Sequence, residues 1–256
     1  MHYHLFHQDD MLILIHLFYL IIMNLLINAD IGEGIGDDEG LMPLIQACNI
    51  ACGGHAGNIQ EIQKTIALAK RYGVHIGAHP SYPDRDYFGR RSLNIKASQL
   101  YQSLNDQIQL LQDQLAGEYL HHIKPHGALY HDCVNLKSTA QIFLEVVEKT
   151  CPDTIILTAP KSELGTMAKK RGYKVWKEAF LDRAYTATGQ LLSRSKKGAV
   201  LSTPEAIKKR ILDLTQKGGV YSNDGQWIPL VADTYCVHGD HPNATDLLKK
   251  ALDKIK

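Results

Sequence analysis

From residue 24 onward the chain repeats one plan: a short apolar stretch, a polar or glycine-rich tip, then a helical pattern. The apolar stretches fall at residues 25–27, 47–51, 74–76, 120–123, 155–157, 173–176 and 229–231, which makes seven candidate strands. Between them the period becomes helical. Leu100, Leu104, Ile108, Leu111 and Leu115 step by 4, 4, 3 and 4 and draw one apolar stripe. Ile62 with Ile66 do so on a shorter element, and Leu247, Leu248, Ala251, Leu252 and Ile255 near the end. Gly73, Gly117 and Gly172 stand where helix stops are expected, and Asn58 is placed to cap the helix after the second strand. Strands that alternate with helices imply parallel pairing and an α/β architecture.

Two α/β shapes fit that order. An open doubly wound sheet concentrates its chemistry at one crevice. Here nearly every candidate strand runs into ionisable residues, as expected when all tips ring one mouth, so a barrel is favoured. Seven strands make it an irregular (β/α) barrel. No linker rich in Pro, Ser or Gly divides it, and residues 23–256 are expected to form a single domain. The first residues break the pattern. Residues 11–27 are greasy but slightly short for a spanning helix, Asp9 and Asp10 stand where a signal peptide carries positive charge, and the first Lys or Arg is Lys64. Residues 1–22 are therefore expected to be an extension from a misassigned start, with translation beginning at Met23. A membrane anchor or an ordered extra element are the alternatives.

Composition narrows the partners. The 256 residues carry 28 Lys plus Arg against 27 Asp plus Glu, so no global charge drives the chain onto nucleic acid or a membrane surface. The five cysteines form no C-x-x-C pair and suit a reducing cytoplasm. There is no Walker A sequence, no G-x-S-x-G elbow, no H-E-x-x-H and no G-x-G-x-x-G after a strand.

The tips hold the candidate chemistry. Asp30 and Glu33, beside glycines at the first tip, suit metal ligation or acid–base work, whereas Asp37, Asp38 and Glu39 suit a helix N-terminus. His55 lies between glycines that allow a ligand close to the backbone. His75 and His79 are separated by Gly77 on a strand, roughly 13 Å apart at strand rise, too far to share one ion. His79 is then the candidate and His75 core. The same spacing separates His126, a candidate, from His122; His121, His122 and His131 carry no expected role. Arg90 and Arg91, in a loop with Asp84, suit a phosphate or carboxylate, or simply a solvated turn. Lys124 at a buried strand end is rare without a task or a partner. Glu178, Asp182 and Arg183 follow the sixth strand, where an Asp–Arg neighbour pair can also tie down a loop. His238 and Asp240 pair a base with a carboxylate across Gly239.

The segments INADIGEG, ACNIACGGHAGN, GAHPSYPDRDYFGRR, KPHGALY, EAFLDRAY and DTYCVHGD resemble, in order and spacing, the LamB/YcsF family, the family of the 5-oxoprolinase A subunit. The resemblance covers about residues 24–256 and departs mildly, with Gly54 where the family carries Phe, Leu181 where it carries Ala, and fewer acidic residues after Gly57. It implies an irregular barrel similar to that of polysaccharide deacetylases. It also implies ATP-dependent opening of 5-oxoproline (pyroglutamate) to L-glutamate together with subunits B and C, with ATP bound on or shared with those partners. In that reaction Asp30, Glu178 or Asp182 is the expected base. Asn28, Arg90, Arg91, Lys124 and Arg183 are expected at the substrate or phosphate, and Glu33, His55, His79, His126, His238 and Asp240 complete the catalytic set. Metal content stays open. A metal-dependent deacetylase using Asp30 and two tip histidines as ligands, or a non-catalytic carbohydrate- or lactam-binding protein, are the competing readings.

Overall fold

The computed structural model describes residues 25–240 and 243–255; the expected extension at 1–22 lies outside the described residues. Seven parallel strands close into a barrel: β1 (Ile27–Ile31), β2 (Ala47–Ala51), β3 (His75–His79), β4 (His122–Ile123), β5 (Ile155–Thr158), β6 (Val175–Phe180) and, after a hairpin of β7 (Gly219–Tyr221) and β8 (Trp227–Pro229), β9 (Thr234–His238). β9 closes the ring between β6 and β1. The barrel reading is thus borne out, but its last strand is not where the apolar run pointed. Pro229 is the last residue of β8, paired with Gly219, and residues 230–231 lead out of the hairpin. The seventh strand is TYCVH, whose alternation hid it.

The same alternation explains why β1, β3 and β6 run further than their apolar stretches. In β1, Asn28 and Asp30 point to the barrel axis while Ile27, Ala29 and Ile31 pack outward in the core. Polar residues read as tips are therefore strand residues on the inner face. Apolar contact is made outside the barrel, beneath the helices α1 (Asp38–Leu41), α2 (Ile59–Tyr72), α3 (Ala97–Leu115), α4 (Gly127–Asn135), α5 (Lys137–Thr150), α6 (Glu163–Lys170), α7 (Pro204–Lys217) and α8 (Ala244–Asp253).

Helix limits follow local chemistry. Asn58 accepts from the Glu61 amide at 3.0 Å to start α2, and Gly73, at φ 66°, ends it. All five residues of the stripe from Leu100 to Leu115 are buried on α3, which packs along α5. Asp37 caps α1, in line with the structural reading of that acidic run. Between β6 and α7 the chain makes an irregular excursion, pinned by bridges from Arg183 to Val200 and from Tyr185 to Leu191 and Ser222. It brings Leu191–Ser195 over the carboxyl ends of the strands.

Gly77 faces His122 across the β3–β4 ladder, and a Cβ there would lie 2.2 Å from His122 Nε2. Gly77→Ala is expected to destabilise the fold by about 1–3 kcal/mol in urea denaturation. In a His122→Ala background the loss should be much smaller, since removing the ring makes the room.

Candidate active site

The barrel axis is filled by a polar ladder. Asn28 donates to Thr234 Oγ1 at 2.9 Å, and Asn49 donates to Asn28 Oδ1 at 2.8 Å and to Asp30 Oδ1 at 2.9 Å. His122 Nε2 lies 2.9 Å from Asn49 Oδ1, so it carries the proton that the amide oxygen accepts. Asn28, expected at the substrate, lies in this floor and does not line the cavity. His122, expected to carry no role, helps orient Asn49 and through it Asp30. His75, expected in the core, is exposed at the opposite barrel end, stacked on His121 at 4.0 Å.

Above the floor sits Lys124, immediately after the short strand β4, where Pro125 ends the ladder. Its buried Nζ is 2.9 Å from Asp30 Oδ1, 2.9 Å from Glu178 Oε1 and 3.1 Å from Cys236 Sγ. Burial pushes its pKa down, but Asp30, Cys236 and Glu178 outweigh that and hold the ammonium well above its ordinary value. Burial likewise pushes Asp30 up, and the charges of His79 and Lys124 hold its carboxyl well below the usual range. Glu178 is sealed behind Lys124 with no aligned hydrogen bond to either oxygen, away from the cavity wall.

A second cluster adjoins Asp30. His79 Nε2 lies 3.3 Å from Asp30 Oδ2 and 2.9 Å from His126 Nδ1. His55 stacks on His126 with ring centres 3.6 Å apart, and its Nε2 is 3.0 Å from Glu33 Oε1. Burial, with the charges of Asp30 and Asp240, raises the Glu33 carboxyl well above its ordinary value. Burial lowers His55 and His126 well below theirs. His75 and His79 do not converge on one ion, in agreement with their strand spacing, but His79 and His126, on neighbouring strand ends, do meet. That pairing is not legible in the chain, because it depends on β3 lying beside β4.

On the far side His238 Nδ1 lies 3.0 Å from both oxygens of Asp182, which also accepts the His238 backbone N–H at 2.9 Å. The N–H is therefore on Nδ1, and Nε2 is left with its lone pair. Asp240 binds Arg90, and Arg194 at 3.0 Å. Sequence reasoning misses Arg194; it lies in a run, RSKK, that resembles any solvated turn, and only the excursion after β6 carries it to the mouth. Arg91, by contrast, turns away. It forms a two-point pair with Asp84 at 2.9 and 3.2 Å, lies over the Tyr87 ring, and is absent from the cavity wall. Arg183 ties down the excursion through the carbonyls of Leu192, at 2.7 Å, and Ala199, at 3.3 Å, while bordering the cavity. At Gly54 a Cβ would meet Gln107 Oε1 at 2.3 Å. In this chain the Gln107 amide occupies that space and bonds the Ser81 backbone at 2.9 Å on both sides.

These groups border a cavity of about 390 Å³, lined among others by Asp30, Glu33, His79, Arg90, Lys124, His126, Arg194, His238 and Asp240. It therefore offers a fixed ammonium, an oriented imidazole, carboxylates and three arginines, Arg90, Arg183 and Arg194, within one small polar space. That inventory suits proton transfer and the stabilisation of negative charge on a small anionic substrate. His55, Glu178 and Asp182 stand behind the wall, each touching a residue that lines it.

Fold and site together define a seven-stranded (β/α) barrel with a buried ionisable centre at the carboxyl ends of its strands. The chain belongs to the LamB/YcsF family, whose model matches residues 25–256. It is 43% identical over 237 residues to the A subunit of 5-oxoprolinase from Syntrophobacter fumaroxidans, covering 89% of this chain and 94% of that protein. The protein of the same name from Pyrococcus horikoshii is 37% identical over 238 residues, covering 89% and 93%. Among solved structures, the lactam utilization protein of Thermus thermophilus superposes with a TM-score of 0.82 at 36% identity, covering 90% of this chain and 94% of that one.

Asp182 supplies a pH test. Burial pushes its carboxyl up, but the His238 charge and two hydrogen bonds from His238 bring it below the ordinary value. A native pKa below the unfolded one stabilises the fold above about pH 4, and that stabilisation is lost as pH falls through the native value. Asp182→Asn is expected to cost about 1–3 kcal/mol at pH 7 in denaturant unfolding, with the difference from the unmodified chain closing in acid.

Proposed function

We propose that this chain is the lactam-handling component of a 5-oxoprolinase, opening 5-oxoproline to L-glutamate at the expense of ATP. The observation that carries this reading is the buried Lys124 ammonium, held between Asp30 and Glu178 at the floor of a polar cavity. Burying such an ion costs stability that an apolar barrel centre would not lose, so its place is better explained by chemistry than by folding. The names of the relatives and of the superposable structure supply the substrate class.

A five-membered lactam is an unactivated amide whose ring closure benefits from high effective molarity, so simple hydrolysis is slow and poorly driven. Transfer of a phosphoryl group from ATP to the amide oxygen converts that oxygen into a leaving group. Water then adds at the ring carbon and the C–N bond breaks as the nitrogen gains a proton, leaving an acyl phosphate that a second water hydrolyses to L-glutamate and phosphate. In this reading His238, oriented by Asp182, takes the proton from water. Lys124 and Asp30 balance the charge that develops, and His238 returns the proton to the ring nitrogen as the C–N bond breaks. Arg90 and Arg194 exchange Asp240 for the substrate carboxylate or the phosphate. The lack of a Walker A sequence supports ATP activation on or with partner subunits B and C. The relatives carry the name of one subunit among several, which supports such an assembly. The five free thiols, all buried, fit a cytoplasmic setting. No helix among the described residues is long and apolar enough to cross a membrane.

The test is glutamate release from 5-oxoproline plus ATP, with this chain alone and with partner subunits. Glutamate only when partners and ATP are both present is the expected result. In the assembled complex Lys124→Ala should lower kcat by on the order of a hundredfold or more; full activity in that variant overturns the role given to Lys124. Absence of glutamate from every mixture overturns the substrate.

A further inference from the structure

We propose that Glu33, His79 and His126 bind a divalent transition-metal ion of the zinc type, with His55, stacked on His126 and bonded to Glu33 Oε1 at 3.0 Å, holding the carboxylate in place. The imidazole hydrogens decide the matter. His126 Nε2 lies 3.0 Å from the Phe88 carbonyl oxygen, and His79 Nδ1 lies 2.8 Å from that of Lys124. A carbonyl only accepts, so each of those nitrogens carries its ring's N–H. In the neutral rings the other two nitrogens, His126 Nδ1 and His79 Nε2, carry lone pairs that face each other at 2.9 Å. Asp30 Oδ2 stands 3.3 Å from the second, and Glu33 Oε1 3.6 Å from the first. Two lone pairs in contact, each with a carboxylate oxygen beside it, repel unless a cation, a metal ion or an added proton, lies between them. A backbone carbonyl on the remote nitrogen is also how a metal-ligating histidine is held in its tautomer.

Spacing agrees. Donors about 2.0–2.1 Å from one tetrahedral ion stand roughly 3.3 Å apart, and His126 Nδ1 lies 2.9 Å from His79 Nε2 and 3.6 Å from Glu33 Oε1, on either side of that figure. The four residues are buried, and their donor atoms lie within 4.8 Å of one another. His55 Nδ1 has no hydrogen-bond partner, so this ring is not held by a protein network on both sides. Two imidazoles and one carboxylate, with a position left open to the cavity, suit zinc, cobalt or nickel better than magnesium or calcium. Glu33, His79 and His126 line the cavity, so an ion there faces an entering ligand and can polarise its oxygen.

The neighbouring group of Asp30, Cys236 and His238 does not compete. The Lys124 ammonium already occupies it, 2.9 Å from Asp30 and 3.1 Å from Cys236, and Asp182 takes His238 Nδ1. The ligand set also differs from the deacetylase-like one expected from the sequence, since one Asp30 oxygen is committed to Lys124 and Asn49, and Glu33 provides the carboxylate instead.

The full chain, stripped with a chelator and dialysed, is titrated with Co²⁺ by visible absorption and with Zn²⁺ by calorimetry. One equivalent of each ion, with Co²⁺ bands of histidine ligation, is the expected result. Glu33→Gln and His126→Gln, checked for folding by circular dichroism, should each weaken binding by at least about tenfold. His75→Gln, at the opposite barrel end, should leave it unchanged. Should His126→Gln not fold, Glu33→Gln decides alone. No saturable binding of either ion, or undiminished binding in folded Glu33→Gln, overturns the site and means that a shared proton bridges His79 and His126. Glutamate formation is not part of the readout, so this site and the proposed reaction fail separately.

Discussion

The centre of this molecule is organised by one buried ammonium. Lys124 sits where an ordinary parallel barrel places aliphatic side chains, and its charge must be answered from several strands at once. β1 contributes Asp30, β6 contributes Glu178 and β9 contributes Cys236. Removal of either carboxylate leaves the ammonium short of a counter-charge in a low-dielectric space, and removal of the Cys236 thiol takes away an acceptor, so the barrel centre and the candidate chemistry share the same constraint.

The floor beneath depends on that arrangement. Asn49 is the junction: it accepts from His122, donates to Asn28 and Asp30, and so connects the opposite end of the barrel to the cavity. Its register opposite Asp30 comes from the β1–β2 pairing, which is why a shift of one residue would dismantle the site as well as the fold. Gly77 leaves room for the His122 ring, so a missing side chain on one strand is as necessary as the polar one on its neighbour.

The mouth is built differently. Its groups ride largely on loops after β1, β2, β3, β6 and β9, and their positions are set by ion pairs: Asp240 with Arg90 and Arg194 between loops, Asp182 with His238 at the end of β9, and Arg91 with Asp84 within one loop. Arg90 and Arg91, adjacent in sequence, show the consequence. One faces the cavity and the other closes its own turn, a distinction that rests on which acidic partner each loop brings near.

The alternation of strand and helix, the seven-fold count, the α3 stripe and the caps at Asn58 and Gly73 were legible in the chain, because periodicity and capping are local properties. So was the set of ionisable residues near strand ends. The tertiary structure alone decided that Asn28 belongs to the floor, that β9 rather than the run at 229–231 closes the barrel, that Arg194 reaches the mouth, and that Glu33, His55, His79 and His126 meet. These outcomes depend on strand adjacency and on which face of a two-residue period turns inward. Neither is encoded in any single segment; both arise only when seven strands close on one another.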